Sequence, residues 1–168
     1  KADARTKRVG QIAARKGNGT RLCRTAQVPQ AAWGQQAFGI PPGRVEAIRT
    51  MQAKATGHCR PGYCKTTLLR LLTDDGDPGF TLRRDVMTTW VGLWRDCDDV
   101  RNGADTPWRL AQQRLHEHER SRWHWARGPC AAAVFTMKDI GWFPIHPNVW
   151  HSPDGRGWTF DDQPPDLR

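Results

Sequence analysis

The chain has 168 residues, and its 26 Lys and Arg against 17 Asp and Glu give a net charge of +9. This length fits about one domain, and a hydrophobic fraction of 38% excludes a wholly disordered, charge-dominated chain. The longest apolar run, Cys130 to Phe135, is far shorter than the ~20 residues of a membrane span, so we expect no membrane insertion and no secretory signal.

The first segment of the chain is strongly basic. Residues 1–24 hold eight Lys or Arg and one Asp, whereas the remaining 144 residues carry a net charge of only +2. Ala2 to Lys16 has a helix-favouring composition. An isolated basic arm is typical of phosphate contact, although a solvated tail has the same composition. We predict that residues 1–24 form a basic arm or helix that contacts nucleic acid through Lys7, Arg8, Arg15, Lys16, Arg21 and Arg24.

The next segment, Thr20 to Phe38, suits two short helical pieces about as well as strands, because Pro29 and Gly34 interrupt it. A clear helix then starts at Pro41 and Pro42. Its apolar positions recur at helical spacing, and a glycine is placed to end it. The positions concerned are Val45, Ile48, Met51 and Ala55, followed by Gly57.

A possible metal half-site follows this helix. His58 and Cys59 precede Cys64 at a spacing near the upper end of that used by zinc ligand pairs, and Gly62 allows a tight turn between them. No Cys-x-x-Cys pair supplies the missing ligands. The pattern therefore favours ordinary thiols over zinc, and the five widely spread cysteines favour reduced thiols over a disulfide framework.

Two further helices are predicted around a turn. Thr66 to Leu72 forms a short apolar helix, and Asp74 to Gly79 forms a turn in which Asp77 caps a helix that opens at Pro78. The apolar stripe of this second helix predicts that it lies in the core. The stripe comprises Val86, Met87, Trp90, Val91, Trp94 and Cys97.

The last third of the chain predicts two helices and a hairpin. Thr106 and Pro107 start a helix whose stripe continues at steps of three and four as far as Trp125. Gly128 and Pro129 start a final helix that ends before a capping glycine. This helix runs through Ile140, and Gly141 is its cap. Asn148 to His151 and Gly157 to Phe160 flank the turn of a β-hairpin. We expect this hairpin to be pinned to the helices by Trp142, Trp150 and Trp158.

One segment interleaves guanidinium, indole and imidazole groups between residues 120 and 127. Bases stack on indoles and Arg neutralises phosphate, so these residue types suit contact with a single strand or heteroduplex. The alternative is that Trp125 and Trp123 pack under the final helix while the arginines face water. The nucleic-acid contacts predicted here are Arg120, Arg122, Trp123 and Arg127.

These elements predict a mainly α fold, a helical domain with a small C-terminal β-hairpin. We expect the basic arm over residues 1–24 and a single helical domain over residues 25–168, ending in the hairpin at residues 148–160. No internal repeat and no clear interdomain linker interrupt this organisation.

Several short motifs resemble parts of a retroelement protein. Leu22 to Thr25 followed by Val28 to Gly34 resembles the thumb that follows the polymerase domain in non-LTR retrotransposon reverse transcriptases. Later motifs resemble the carboxy-terminal extension of a protist group of these elements. They are Cys64-Lys65-Thr66-Thr67, Gly76-Asp77-Pro78, Trp90 with Leu93-Trp94, Arg127-Gly128-Pro129 and Ile140-Gly141-Trp142-Phe143-Pro144. The resemblance implies a polymerase domain upstream of this chain in the same polyprotein, with Mg²⁺ bound there.

No polymerase centre is visible in the chain itself. A palm domain carries a Tyr-x-Asp-Asp motif that holds two metal ions, and Leu72-Thr73-Asp74-Asp75 lacks the aromatic residue and follows a helical pattern. Asp96, Asp98 and Asp99 cluster at a helix end, which favours a solvated terminus over a metal site. We therefore assign no catalytic residue and expect no cofactor in this chain.

The function predicted from these patterns is sequence-nonspecific binding of RNA or DNA, as a template- or primer-guiding part of a reverse transcriptase. Two alternatives remain open, a structural RNA-binding subunit of a ribonucleoprotein particle and a zinc-dependent nucleic-acid adaptor. The reduced cysteines and the basic charge fit a nuclear or cytoplasmic location.

Overall fold

The computed structural model describes residues 8, 11, 19–73 and 76–160. The protein is mainly helical with a small antiparallel sheet near its C-terminus, which confirms the predicted fold class. The described helices and strands, in chain order, are α1 Gly19–Leu22, α2 Val28–Ala31, α3 Gln35–Phe38, α4 Pro42–Ala55, α5 Lys65–Leu72, α6 Pro78–Asp96, α7 Asp98–Gly103, α8 Asp105–Glu117, α9 Gly128–Asp139, β1 Phe143–His146, β2 Val149–His151 and β3 Gly157–Thr159.

The chain divides into two compact units. The first unit contains α1, α2, α4, α5 and the first residues of α6, and it extends to Leu82. The second contains residues 34–40 and the chain from Arg83 onward. The helix predicted over Ala2 to Lys16 lies outside the described residues, apart from Arg8 and Gln11.

The first unit is built on α4, whose start and end follow from local sequence. Pro42 lies in the first turn, where its missing N–H leaves no donor unsatisfied, and Gly57 takes a φ of +75° just after the helix. Val45 and Ile48 are buried, and α5 contributes the fully buried Leu69. The helix predicted between Pro42 and Gly57 is therefore confirmed.

The segment before α4 is helical rather than extended. Between α1 and α2, Cys23–Gln27 forms a π-helical turn, so residues 19–31 make one continuous run of helical backbone. Cys23 is fully buried within this run. The ambiguity between strands and short helices is thus resolved in favour of helices.

Asp77 caps the start of α6, as predicted. Its carboxylate accepts a hydrogen bond from the N–H of Gly79 at 2.8 Å, and its backbone oxygen accepts one from the N–H of Phe80 at 2.9 Å. This pairing satisfies a donor that would otherwise be orphaned at the helix start. The neighbouring Asp74 and Asp75 lie outside the described residues.

The second unit has an aromatic core. Trp90 of α6 and Trp108 of α8 are 2% and 1% exposed, with ring centroids 5.3 Å apart. The Trp90 indole N–H donates to the backbone oxygen of Pro147 at 2.8 Å and so ties α6 to the β1–β2 loop. Residues 131–137 of α9 are all buried. Since Trp90 lies in the same buried cluster as Ala131, Val134 and Phe135, the predicted core role of α6 is confirmed.

Two details of the predicted stripes are wrong. The helix α8 ends at Glu117, after which the chain turns and Arg122–Trp125 forms a short 3₁₀ turn, so the stripe does not continue to Trp125. Cys97 is exposed in an extended link between α6 and α7 instead of lying in the core. Polar residues come at both helix ends, Arg95 and Asp96 at the end of α6 and residues 116–120 around the end of α8. Because most of the stability of a helix comes from burying an apolar face, extending either helix would add little.

The sheet is a three-stranded meander with strand order β1, β2, β3. The predicted hairpin is β2 and β3, in which Trp150 pairs with Trp158, while the register also pairs Trp150 with Pro144 of β1. The strand β1 was not predicted. Its register shifts between Pro144 and His146, an irregularity that hides the alternation of a strand in the sequence.

Aromatic rings hold the sheet together. Trp142 packs edge-on against Trp150 and stacks with Trp158, with ring centroids 6.4 Å apart in both pairs. Phe160 meets Trp150 edge-on at 4.3 Å.

Among the helices that the structure describes, none is both long enough and apolar enough to cross a bilayer.

Candidate nucleic-acid interface

Charge is divided unequally between the two units. In the first, residues 19–33, 41–73 and 76–82 hold eight Lys or Arg and two acidic residues, a net charge of +6. In the second, residues 34–40 and 83–160 hold eleven Lys or Arg and nine acidic residues, a net charge of +2. The described basic excess therefore belongs mainly to the first unit, which also includes the basic segment at residues 1–24.

Both described carboxylates of the first unit are paired internally. Asp77 accepts hydrogen bonds from the Arg49 guanidinium, at 2.8 Å and 3.0 Å from Nε and at 2.7 Å from one terminal nitrogen. Glu46 accepts hydrogen bonds from Arg49, at 2.8 Å, and from Lys65. The hydrogen bond from Lys65 lowers the pKa of Glu46, and the bonds to Asp77 raise the pKa of Arg49. This network neutralises two cations and both carboxylates.

The other six described cations of the first unit are exposed to solvent. Arg44 directs its Nε to the backbone oxygen of Ala31 at 2.9 Å, which fixes its position beside the end of α2. Guanidinium groups bind phosphate oxygens through paired N–H donors, so an exposed set on one unit suits contact with a polyanion. The exposed cations are Arg21, Arg24, Arg44, Lys54, Arg60 and Arg70.

The residues predicted for the basic arm are described only in part. Arg8 is exposed and helical, and Arg21 and Arg24 are exposed on α1 and on the π-helical turn. Lys7, Arg15 and Lys16 lie outside the described residues. The structure thus brings two of the predicted arginines into the same unit as the exposed cations of α4 and α5.

Two predicted contacts of the second unit are engaged within the fold. Arg122 forms an ion pair with Asp139, whose side chain is 4% exposed, and burial raises the pKa of that carboxyl despite the opposing guanidinium. Trp123 meets Phe135 edge-on at 5.8 Å. A Cβ on Gly39 would come within 2.4 Å of the Trp123 ring, so the glycine is needed for this packing.

The exposed indole of this segment is Trp125. Its side chain is 41% exposed, and the imidazole of His118 stacks on it at 4.9 Å with an interplanar angle of 14°. The Arg114 guanidinium lies 5.3 Å from the same ring. Arg120 and Arg127 are exposed nearby in the sequence. The exposed tryptophan of this segment is therefore Trp125, whereas the predicted nucleic-acid contact was Trp123.

A second exposed indole, Trp33, was not selected by the sequence reasoning. It is 88% exposed, the highest exposure among the large exposed hydrophobic side chains described. The signal that could have found it is its position between the end of a short helix and Gly34, which adopts a φ of +78°. Turns of this kind lie at the protein surface, where a side chain is exposed to solvent.

The candidate zinc residues do not assemble into a site among the described residues. His58 and Cys64 are exposed and Cys59 is partly buried, and no described group of three or more His, Cys, Asp or Glu could hold a metal ion. All five cysteines are free. Hydrogen bonds with Thr67 lower the pKa of the Cys64 thiol, whereas burial raises that of Cys23 to about 11 and that of Cys130 to about 12.

The acidic cluster after α6 lies on a solvated helix start. Asp98 and Asp99 occupy the first turn of α7, where carboxylates interact favourably with the helix dipole, and both are exposed. Asp98 pairs with Arg101 one turn later. These contacts account for the cluster without a metal ion.

Comparison of the chain with family models, with curated proteins and with solved structures found no match.

Proposed function

We propose that this protein binds RNA or DNA without sequence specificity, and that the first unit provides the main binding surface. The observation that carries the proposal is the charge distribution, since the described part of that unit has a net charge of +6 and both of its described carboxylates are paired with Arg49 or Lys65. Six further cations of that unit are exposed at its surface. Nucleic-acid backbones supply regularly spaced phosphates that match such a surface.

The mechanism of binding is the release of counterions from the nucleic acid. Each phosphate neutralised by Lys or Arg releases condensed cations. For every phosphate contact of this kind, the logarithm of the binding constant falls by about 0.7 to 0.9 for each tenfold increase in salt concentration. Contacts of this kind position a strand without reading its bases. A guiding role on a template or primer requires that property, because the strand must move.

The motifs quoted from the sequence support a narrower form of this proposal. In that form the chain is a non-catalytic, template- or primer-guiding part of a retroelement reverse transcriptase, and the polymerase domain of the same polyprotein holds the Mg²⁺. A primer–template hybrid with an unpaired template overhang should then compete better than a blunt duplex of equal length. Equal competition by the two would argue against the narrower form and leave phosphate binding in place.

The test of the main proposal compares two matched pairs of substitutions. Arg60→Gln with Arg70→Gln removes two exposed cations from the first unit, and Arg95→Gln with Arg109→Gln removes two from the second. Affinity for a labelled 20-nucleotide strand is measured by fluorescence anisotropy over a range of salt concentrations. We expect the first pair to reduce the salt slope by about 1.4 to 1.8 and the second pair to leave it unchanged.

Two results would contradict the proposal. The first is the absence of salt-dependent binding by the unsubstituted chain. The second is an equal reduction of the slope by both pairs, which would show that binding follows total charge and not the surface of the first unit. Circular dichroism of each variant establishes that helix content is retained.

A further inference from the structure

The position of Trp33 makes it available to a ligand. The helix α2 ends at Ala31, two residues earlier, and the N–H of the buried Ala32 donates to the backbone oxygen of Val28 at 2.9 Å. Trp33 follows and is 88% exposed. An indole exposed to this degree contributes almost nothing to the core, although it is the largest apolar side chain that a protein has.

The charge around Trp33 is entirely positive or neutral along the chain. No Asp or Glu occurs between Asp3 and Glu46. The hydrogen bond from Arg44 Nε to the backbone oxygen of Ala31 holds a guanidinium close to the end of α2, two residues before Trp33. An exposed indole and a guanidinium anchored two residues away supply the two groups that a nucleotide needs, a face on which its base can stack and a partner for its phosphate.

We propose that Trp33 is a stacking platform for an unpaired nucleobase, with Arg44 contacting an adjacent phosphate, so that the protein prefers single-stranded over duplex nucleic acid. This inference rests on the proposed function and adds the substrate class to it. Bases inside a duplex are already stacked on both faces, and only an unpaired base is free to stack on the indole.

Charge favours a nucleic acid over a protein as the occupant of this face. An apolar protein partner would bring its surface against the Arg44 guanidinium and the basic segment. No Asp or Glu between residues 4 and 45 would neutralise these cations in such an interface. A polyanionic strand satisfies the cations and covers the ring at the same time. The two occupants also differ in what they require of residue 33. An apolar protein contact depends on buried apolar area, part of which Leu also supplies, whereas a base needs an aromatic face on which to stack.

The experiment uses the full chain and three substitutions of Trp33. Trp33→Ala removes the side chain, Trp33→Leu keeps apolar bulk without a π-face, and Trp33→Phe keeps a smaller π-face. Leu71→Ala is the matched control, because Leu71 is 76% exposed in the same unit. Dissociation constants are measured for a 20-nucleotide single strand and for a blunt duplex of the same sequence, each at two salt concentrations.

We expect Trp33→Ala and Trp33→Leu to weaken single-strand binding by roughly 5- to 150-fold, the effect of losing one stacked base. Trp33→Phe should retain most of the affinity, and Leu71→Ala all of it. Duplex binding and both salt slopes should stay unchanged, because the phosphate contacts remain.

Several outcomes would overturn the inference. Salt-dependent binding that no Trp33 substitution alters would remove Trp33 from the interface and leave the proposed function standing. Equal losses on single strand and duplex would show that Trp33 does not select unpaired bases. Full affinity in Trp33→Leu would indicate an apolar contact and not base stacking. A lack of binding by the unsubstituted chain would overturn the inference and the proposed function together.

Discussion

At the scale of single residues, two neighbouring tryptophans exchange their expected places. The sequence stripe assigned Trp125 to the core side and Trp123 to the surface, because it assumed one helix from Trp108 onward. Since α8 ends at Glu117, the phase of the periodicity is lost before either tryptophan is reached. Trp123 packs against Phe135, and Trp125 is exposed beside His118. The sequence therefore shows two tryptophans in this segment but does not show which of them faces the core. That orientation depends on the end of α8, which no Gly or Pro marks.

This exchange predicts unequal costs of truncation. Trp123→Ala removes a ring that fills the space beside Gly39 and Phe135, and we expect it to lower the free energy of unfolding by about 2 to 4 kcal/mol. Trp125→Ala removes an exposed ring and should cost less than about 1 kcal/mol. Urea denaturation followed by far-ultraviolet circular dichroism measures both values. A larger cost for Trp125→Ala would contradict the packing described here.

At the scale of elements, predictable boundaries are those set by local chemistry. Pro42 and Gly57 delimit α4, Asp77 caps α6, and Gly128 begins α9, each at or within a residue of the predicted position. Boundaries set by distant contacts were not predictable. The strand β1 exists because Pro144 pairs with Trp150, and Gln112 of α8 donates to the backbone oxygen of Ile145 at 3.2 Å. Neither contact leaves a signal in the local sequence.

The link between α4 and α5 gives a prediction that depends on pH. The hydrogen bond from Lys65 is the largest cause of the lowered pKa of Glu46, so Lys65→Met should raise that pKa towards its ordinary value. A carboxyl group with a lowered pKa stabilises the folded state above its unfolded pKa, and this contribution is lost as the pH falls through the folded pKa. Because both side chains are more than a third exposed, the loss at pH 7 should be below about 1 kcal/mol.

The measurement for this element is the titration of Glu46 by NMR, together with denaturant unfolding at pH 7 and pH 3. The difference in stability between Lys65→Met and the unsubstituted protein should shrink at the lower pH. Lys54→Met, which removes an exposed cation from the end of α4, is the control and should leave the titration of Glu46 unchanged. A Glu46 pKa that does not move in Lys65→Met would contradict the ion pair.

At the scale of the whole molecule, the sequence located the basic excess in a terminal arm, and the structure extends it over a unit. Linear counting separates Arg21 and Arg24 from Arg44, Arg60 and Arg70, because a long neutral stretch lies between them. The division into two units places all five in the same unit. Which distant segments share a compact unit depends on tertiary packing, and this is why the grouping of these five arginines in one unit was not predictable from charge runs.

This distribution predicts where binding should protect the backbone and what the arm adds. Hydrogen exchange with and without a saturating 20-nucleotide strand should show increased protection in residues 19–33 and 41–73, because a ligand that binds only the folded state suppresses local opening. Protection confined to residues 114–127 would instead place the interface around Trp125.

The contribution of the basic arm is tested by removing residues 1–18. The salt slope should fall, yet the truncated chain should still bind, because eight Lys and Arg remain in the described part of the first unit. Complete loss of binding on truncation would assign the interface to the arm alone.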